Sequence, residues 1–147
     1  RVETLGGELV SYRDERGLEY IWGGDPAYWP GRNPLLFPIV GMLKEGKIRF
    51  DGREYAMERH GFARRREFTP AARGEDWVRL ELRESAETLA LYPYPFRLAV
   101  EQRLTDTGFS TAVTVANPGE GPLPFCLGAH TGFRCPLEAG ERFEDYS

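Results

Sequence analysis

A chain of 147 residues, 41% hydrophobic and 29% charged, fits one domain able to bury a sizeable core. Its net charge of −4 offers nothing to a polyanion, so no nucleic acid partner is expected. No apolar run approaches the roughly 18 residues of a membrane span, no signal peptide opens the chain, and Cys126 and Cys135 fit neither a zinc motif nor a disulfide framework; the expectation is a cytoplasmic protein with no membrane contact.

Glycine (17) and proline (11) are dispersed among short apolar runs, which predicts many turns between short strands. Leu5–Tyr12 reads as a first strand. Asp14-Glu15-Arg16-Gly17 turns the chain, and Leu18, Tyr20 and Trp22 alternate with Glu19 and Ile21 as a second strand, pairing with the first as a hairpin. From Gly23 to Pro34 the prolines and glycines predict a loop. Tyr28 and Trp29 within it either pin the loop to the core or line a pocket. Leu35–Leu43 is a continuous apolar run, read as a buried strand with an irregularity at Pro38. Asp51-Gly52 between Lys47–Phe50 and Arg53–Met57 is the clearest hairpin signal, since both turn positions require positive φ. Beyond His60-Gly61, residues 70–75 read as a turn region. Trp77–Arg83 alternates, with Val78, Leu80 and Leu82 facing inward. Ser85–Pro95 holds the one helical segment, ended by Pro93 and Pro95.

The last third continues in the same style. Phe96–Leu104 and Phe109–Val115 pair across Asp106-Thr107-Gly108, with Leu104 among the inward residues. Leu123–Leu127, with a buried thiol at Cys126, leads as a strand into His130, and Arg142–Ser147 reads as a final strand. Nine or ten strands with almost no helix predict an all-β, antiparallel sandwich or barrel.

Only two histidines are present, His60 and His130. Each lies within two residues of glycine, each is followed shortly by a phenylalanine, and each ends an apolar stretch. Imidazole titrates near working pH, so two such groups at strand ends are candidate proton-transfer residues. No His-x-His or His-Glu-x-x-His spacing marks a metal site, no Gly-x-Ser-x-Gly elbow marks a nucleophile, and no glycine-rich phosphate loop precedes a helix. Arg64, four residues after His60, offers a planar fork of donors suited to hydroxyls, a carboxylate or a phosphate. Apolar faces from Phe37, Phe133 and the tryptophans beside such donors suit a sugar.

The motifs Gly6-Gly7-Glu8-Leu9-Val10-Ser11, Asp25-Pro26-Ala27-Tyr28-Trp29, Leu36-Phe37-Pro38-Ile39-Val40-Gly41, the Asp51–Tyr55 hairpin, His60-Gly61-Phe62-Ala63-Arg64 and Gly128-Ala129-His130-Thr131-Gly132-Phe133 run in order over nearly the whole chain. Together they resemble the aldose 1-epimerase (galactose mutarotase-like) family. The resemblance implies an antiparallel supersandwich, with residues 1–147 as part of a single domain, and interconversion of the α and β anomers of an aldose or hexose 6-phosphate without metal or cofactor. It implies His130 as general acid and His60 as the histidine holding the ring side of the sugar. Arg64, Arg32, Phe37 and Phe133 are the expected substrate contacts. Family chains are much longer, and their glutamate base lies in a later half. The resemblance therefore implies a base after Ser147, strands before Arg1 and an inactive isolated segment. Glu138, Glu141 and Glu144 do not stand in the base's context. Relatives often carry arginine where Met42 stands. A non-catalytic carbohydrate-binding module on the same fold is the alternative, and a plain structural domain a third reading. Nothing in the sequence specifies an oligomeric state.

Overall fold

Local turn chemistry sets the most regular parts of the chain. A computed structural model describes residues 1–146. Its strands are β1 (Leu35–Leu36), β2 (Lys47–Phe50), β3 (Arg53–Ala56), β4 (Thr69–Arg73), β5 (Trp77–Arg83), β6 (Arg97–Thr105), β7 (Gly108–Ala116) and β8 (Gly128–Ala129), with one helix, α1 (Ala86–Leu91). All of these strands pair antiparallel, in a four-stranded sheet ordered β4-β5-β6-β7 and in two pairs, β2-β3 and β1-β8. The all-β class expected from the sequence is the class found. No helix among the described residues is long and apolar enough to cross a membrane.

The β2-β3 hairpin turns at Asp51 (φ 48°) and Gly52 (φ 81°), the left-handed pair that a two-residue turn demands. Ser85 starts α1 through a reciprocal cap: its hydroxyl accepts from the Thr88 amide at 3.3 Å, and the Thr88 hydroxyl accepts from the Ser85 amide at 2.8 Å. In β5, period-two alternation puts Leu80 and Leu82 opposite Val100 and Leu98 of β6, and all four are buried. Against this sheet face packs an aromatic cluster. Phe37 lies 6.2 Å from Phe62, 6.0 Å from Tyr92 and 5.2 Å from Phe96, ring to ring. Each such ring contributes roughly 2–3 kcal/mol by burial. The fully buried Tyr92 satisfies its hydroxyl by donating to the Pro124 carbonyl at 2.8 Å.

Several predicted elements differ. The first hairpin forms without regular strands, holding Arg13 opposite Glu19 as an isolated pair. The Glu19 carboxylate accepts from the Tyr12 amide (2.9 Å), the Ile21 amide (3.0 Å), the Ser11 hydroxyl (2.6 Å) and Arg13 Nε (3.1 Å), so a side chain takes donors a ladder would use. Residues 70–73, read as a turn, form β4. Pro70 is tolerated because β4 is an edge strand, and the register shifts between Pro70 and Ala72. Of the Leu35–Leu43 run only Leu35–Leu36 is strand; the chain then bends, leaving Val40 and Met42 exposed. Leu123–Leu127 is not a strand. Pro122 and Pro124 have no amide to donate; the run is tied instead by the Cys126 amide, which donates to the Pro38 carbonyl at 2.9 Å, and by the Pro124 carbonyl, which accepts from Tyr92. Phe125 stacks on Phe37, and the Cys126 thiol is exposed, not buried. Leu104, near the β6-β7 turn, is exposed. In place of a final strand, Phe143–Asp145 is a 3-10 turn; Ser147 lies outside the described residues.

The Glu19 site makes a testable demand. Burial alone pushes its carboxyl up, but the hydrogen bonds from Ser11, Ile21, Tyr12 and Arg13 outweigh burial and hold it at about 2. The folded pKa lies below the unfolded one. The stabilisation is therefore present above the ordinary glutamate range and is lost as pH falls from there toward 2. Glu19→Gln is expected to cost about 1–2 kcal/mol at neutral pH, discounted for partial exposure, and to flatten the acid limb of stability. Urea midpoints measured across pH for both proteins check this; superimposable acid limbs would refute it.

Candidate functional site

The two histidines are brought together by one short strand. On one side of β1, Leu35 faces Ala129 and Leu36 faces Gly128, which delivers His130 to the end of β8. On the other, Phe37 bridges to Gly61 in parallel, and its carbonyl accepts the Phe62 and Ala63 amides at 3.0 and 3.2 Å. The loops carrying His60 and His130 thus hang from adjacent residues of the same segment.

His60 itself has φ 68°, a conformation uncommon for a residue with a Cβ. A reciprocal clamp holds it there. The His60 amide donates to the Gly41 carbonyl at 2.8 Å, and the Gly41 amide donates to His60 Nδ1 at 3.0 Å. With Nδ1 accepting, the neutral ring carries its proton on Nε2, a tautomer assigned from that hydrogen bond. The half-buried ring therefore presents a donor. Burial lowers the His60 pKa, and the charges of Arg59, Arg64 and His130 lower it further. All three of those charges are positive, and His130 is close enough to be one of them.

A histidine with a depressed folded pKa is protonated first in the unfolded chain. Its effect on stability is nil above the ordinary histidine range, and stability falls as pH drops through that range toward the folded midpoint. His60→Asn keeps a short polar side chain that tolerates positive φ. It is expected to flatten this slope between about pH 7 and 5. NMR titration of the wild-type ring should give a midpoint below that of a free histidine; a midpoint above it would contradict the positive surroundings.

His130 is exposed. Its amide donates to the Pro34 carbonyl at 3.2 Å, and its ring lies against Trp29 with centroids 4.8 Å apart. The neighbouring loop is stitched to residues 22–34. The Thr131 hydroxyl donates to Asn33 Oδ1 at 2.6 Å, the Gly132 amide to the Arg32 carbonyl at 2.7 Å, and the Trp22 amide to the Gly132 carbonyl at 2.9 Å. Asn33 is one of three buried polar side chains among the described residues. Glu8 Oε1 in turn accepts the Arg32 and Asn33 amides at 2.8 and 2.6 Å, so the carboxylate fastens the loop from below.

Arg64 donates Nη2 to the Arg59 carbonyl at 2.9 Å, while its buried Nε has no partner among the described residues. Arg32 rests its guanidinium against Gly24, where a Cβ would come within 2.9 Å of Cζ. Among the described residues, neither Arg32, Arg59 nor Arg64 pairs with a carboxylate, whereas Arg65 and Arg66 pair with Glu58 and Glu87 at 2.7 Å. Phe133 is 62% exposed, and its backbone pairs with Ile21. Phe37 corrects an expectation. Its ring is 0% exposed and offers no face to a ligand; Phe37 serves the site through the carbonyl that holds the Gly61 turn. A concavity of about 880 Å³ between residues 66–71 and 81–88 includes neither histidine. No cluster of three metal-ligating side chains occurs among the described residues.

Sequence reasoning missed Glu8, Asn33, Thr131 and Arg59. Asn33 and Thr131 stand 98 residues apart, and no local pattern announces their bond. For Trp29 the alternatives of pin and pocket had stayed open; it touches His130 directly.

A family model described as Aldose 1-epimerase matches residues 1–146. Protein LacX, plasmid, and Protein LacX, chromosomal, both of Lactococcus lactis subsp. lactis, are 41% and 40% identical over 151 residues, covering 99% of this chain and 50% of each relative. A galactose mutarotase related enzyme from Lactobacillus acidophilus superposes with TM-score 0.94 at 30% identity, over 98% of this chain and 48% of its own. A galactose mutarotase-like protein from Lactobacillus casei ATCC 334 gives 0.88 at 35%, over 94% and 47%. The chain spans about half the length of the curated relatives it matches. The galactose mutarotase-like architecture expected from the motifs is the fold these neighbours share.

Proposed function

The chain belongs to the aldose 1-epimerase family, and from that premise we propose that it carries the acid and sugar-holding side of an enzyme that interconverts the anomers of an aldose. The observation that carries the reading is the suspension of His60 and His130 from one segment, Leu35–Phe37, close enough for the charge of one to act on the other. In this reading His130 gives a proton to the ring oxygen as the C1–O5 bond breaks. A carboxylate takes the proton of the anomeric hydroxyl, the aldehyde rotates, and the ring closes on either face. His60 donates Nε2–H to the ring side of the sugar. Arg64 and Arg32 contact hydroxyls or an anionic group, and Phe133 offers an apolar face.

The carboxylate base is not assigned to the acidic residues near the end of the chain. Glu138 pairs weakly with Arg16 at 3.7 Å, and Glu141 is engaged by Tyr146 and the Glu138 amide. The positive charges around His60, with Arg59 and Arg64 lacking carboxylate partners, support a sugar bearing a phosphate over a neutral one. A second reading, a carbohydrate-binding module without catalysis, is favoured by two observations: among the described residues no carboxylate is among the charges acting on His60, and the exposed Met42 stands beside its clamp at Gly41.

Polarimetry or NMR exchange on freshly dissolved α-glucose, α-galactose and their 6-phosphates separates these. Acceleration by the full polypeptide, strongest for a 6-phosphate, is expected. Binding of sugar with anomer exchange at the uncatalysed rate would establish the second reading instead.

A further inference from the structure

Trp29 is held more firmly than an aromatic ring at a loop tip requires. Its amide donates to the Asp25 carbonyl at 2.8 Å, and its carbonyl accepts Trp22 Nε1 at 2.8 Å. Its indole also runs past two glycines. A Cβ on Gly31 would fall 2.7 Å from Cζ2, and one on Gly132 would fall 2.7 Å from Cζ3. Neither glycine has a left-handed φ, so backbone conformation does not demand glycine at either position; room for the indole does. One glycine lies on the Trp29 loop and the other on the His130 loop, and the indole is seated between them.

The partner of that indole is the His130 ring, with centroids 4.8 Å apart and planes inclined by 41°. The imidazole makes no hydrogen bond among the described residues, and the residue is exposed. An exposed ring without hydrogen bonds is free to sample several rotamers. Here one aromatic contact selects among them.

We propose that Trp29 is the positioning residue of His130: its glycine-seated indole fixes the orientation of the imidazole that faces the sugar. The catalytic consequence rests on the epimerase reading; the orientation itself does not. A contact of this class biases orientation about 3–10-fold. The expected result in the full polypeptide is therefore a fall in kcat of about tenfold for Trp29→Ala, KM within about twofold and an unchanged melting temperature. Trp29→Phe, which keeps a flat ring, should recover most of the rate. Gly31→Ala, whose added Cβ would meet the indole at Cζ2, Cε2 and Nε1, displaces the ring while leaving it present and should reproduce the loss.

An NMR arm on the full polypeptide needs no activity. The His130 ring protons should be shifted upfield by the indole in the wild type, lose that shift in Trp29→Ala and Gly31→Ala, and keep part of it in Trp29→Phe. Unchanged His130 ring shifts in Trp29→Ala would overturn the proposal. So would a fall in kcat and melting temperature with a rise in KM, which marks a loop pin. If the wild type accelerates no anomer exchange, the epimerase reading fails, and the ring shifts alone decide the positioning role.

Discussion

In the epimerase reading, replacing His130 with alanine in the full polypeptide is expected to lower the rate of anomer exchange by about 10²–10⁴-fold, the range a positioned general acid contributes. The ring opens only as its oxygen gains a proton, and in water at neutral pH that proton is scarce. The structure makes the test clean. His130 is exposed, and its structural bonds run through its backbone, amide to the Pro34 carbonyl, with Thr131 and Gly132 tying the loop to Asn33 and Arg32. Truncation to alanine leaves all of these in place. Folding is therefore expected to survive with a loss well below 1 kcal/mol, typical of an exposed site. kcat should fall with little change in KM, since the proton transfer belongs to the transition state. Full activity in His130→Ala would show that another group is the acid. A large fall in KM-controlled binding with kcat intact would assign His130 to holding the sugar.

The largest expected effect on stability is at Gly61. Its φ is +70°, and a Cβ there would sit 2.2 Å from the Phe37 carbonyl oxygen, 2.5 Å from the carbonyl carbon and 2.7 Å from Pro38 N. Positive φ costs an alanine about 1–2 kcal/mol. The overlap is worse, because the obstructing atoms are backbone of a residue that is 0% exposed and ringed by Phe62, Tyr92 and Phe96. Such a segment cannot step aside without disturbing the core, and overpacking of this kind adds about 1–3 kcal/mol. Separation at this point also weakens the Phe62 and Ala63 amide bonds to Phe37. Gly61→Ala is expected to cost about 3–5 kcal/mol, a large part of the stability of a small domain.

Gly17 supplies the control. It has φ +83° with nothing within 4 Å of a Cβ, so Gly17→Ala tests strain without overlap and should cost only about 1–2 kcal/mol. Urea unfolding of the two variants compares them. Equal losses would mean that the approach of Gly61 to Phe37 is not what demands glycine. His60, held by Gly41 one residue before Gly61, should also lose its clamp in Gly61→Ala, visible as a His60 pKa that returns toward the ordinary value.

Where sequence and structure agree, the governing interactions are short-ranged. Asp51-Gly52 sets a hairpin through two φ angles, β5 declares its inner face by alternation, and Ser85 opens a helix that Pro93 and Pro95 close. The family motifs were legible for the same reason: each is a local run of residue types, and their order along the chain names the fold. The failures are also specific. Pro70 looked like a turn because its tolerance depends on lying at a sheet edge, which is a fact about neighbours. Glu19 looked like one residue of an alternating strand, yet its carboxylate replaces the ladder. Cys126 looked buried in an apolar run, but Pro122 and Pro124 withdraw the donors that would have made the run a strand.

At the candidate site the same division holds. The residue types His60, His130 and Arg64 were readable from the sequence alone, because scarce imidazoles near glycine and a forked donor are chemical signals that need no partner to be seen; Arg32 entered only through the family resemblance. Three things needed the tertiary structure. Phe37 proved to be a buried core ring that serves by its carbonyl, Asn33 and Thr131 meet across 98 residues, and Trp29 seats against His130 between Gly31 and Gly132. Local sequence sets torsions and periodicity over a few residues. Which ring is enclosed, and which loop finds its partner, depends on strands that pair across the whole length of the chain.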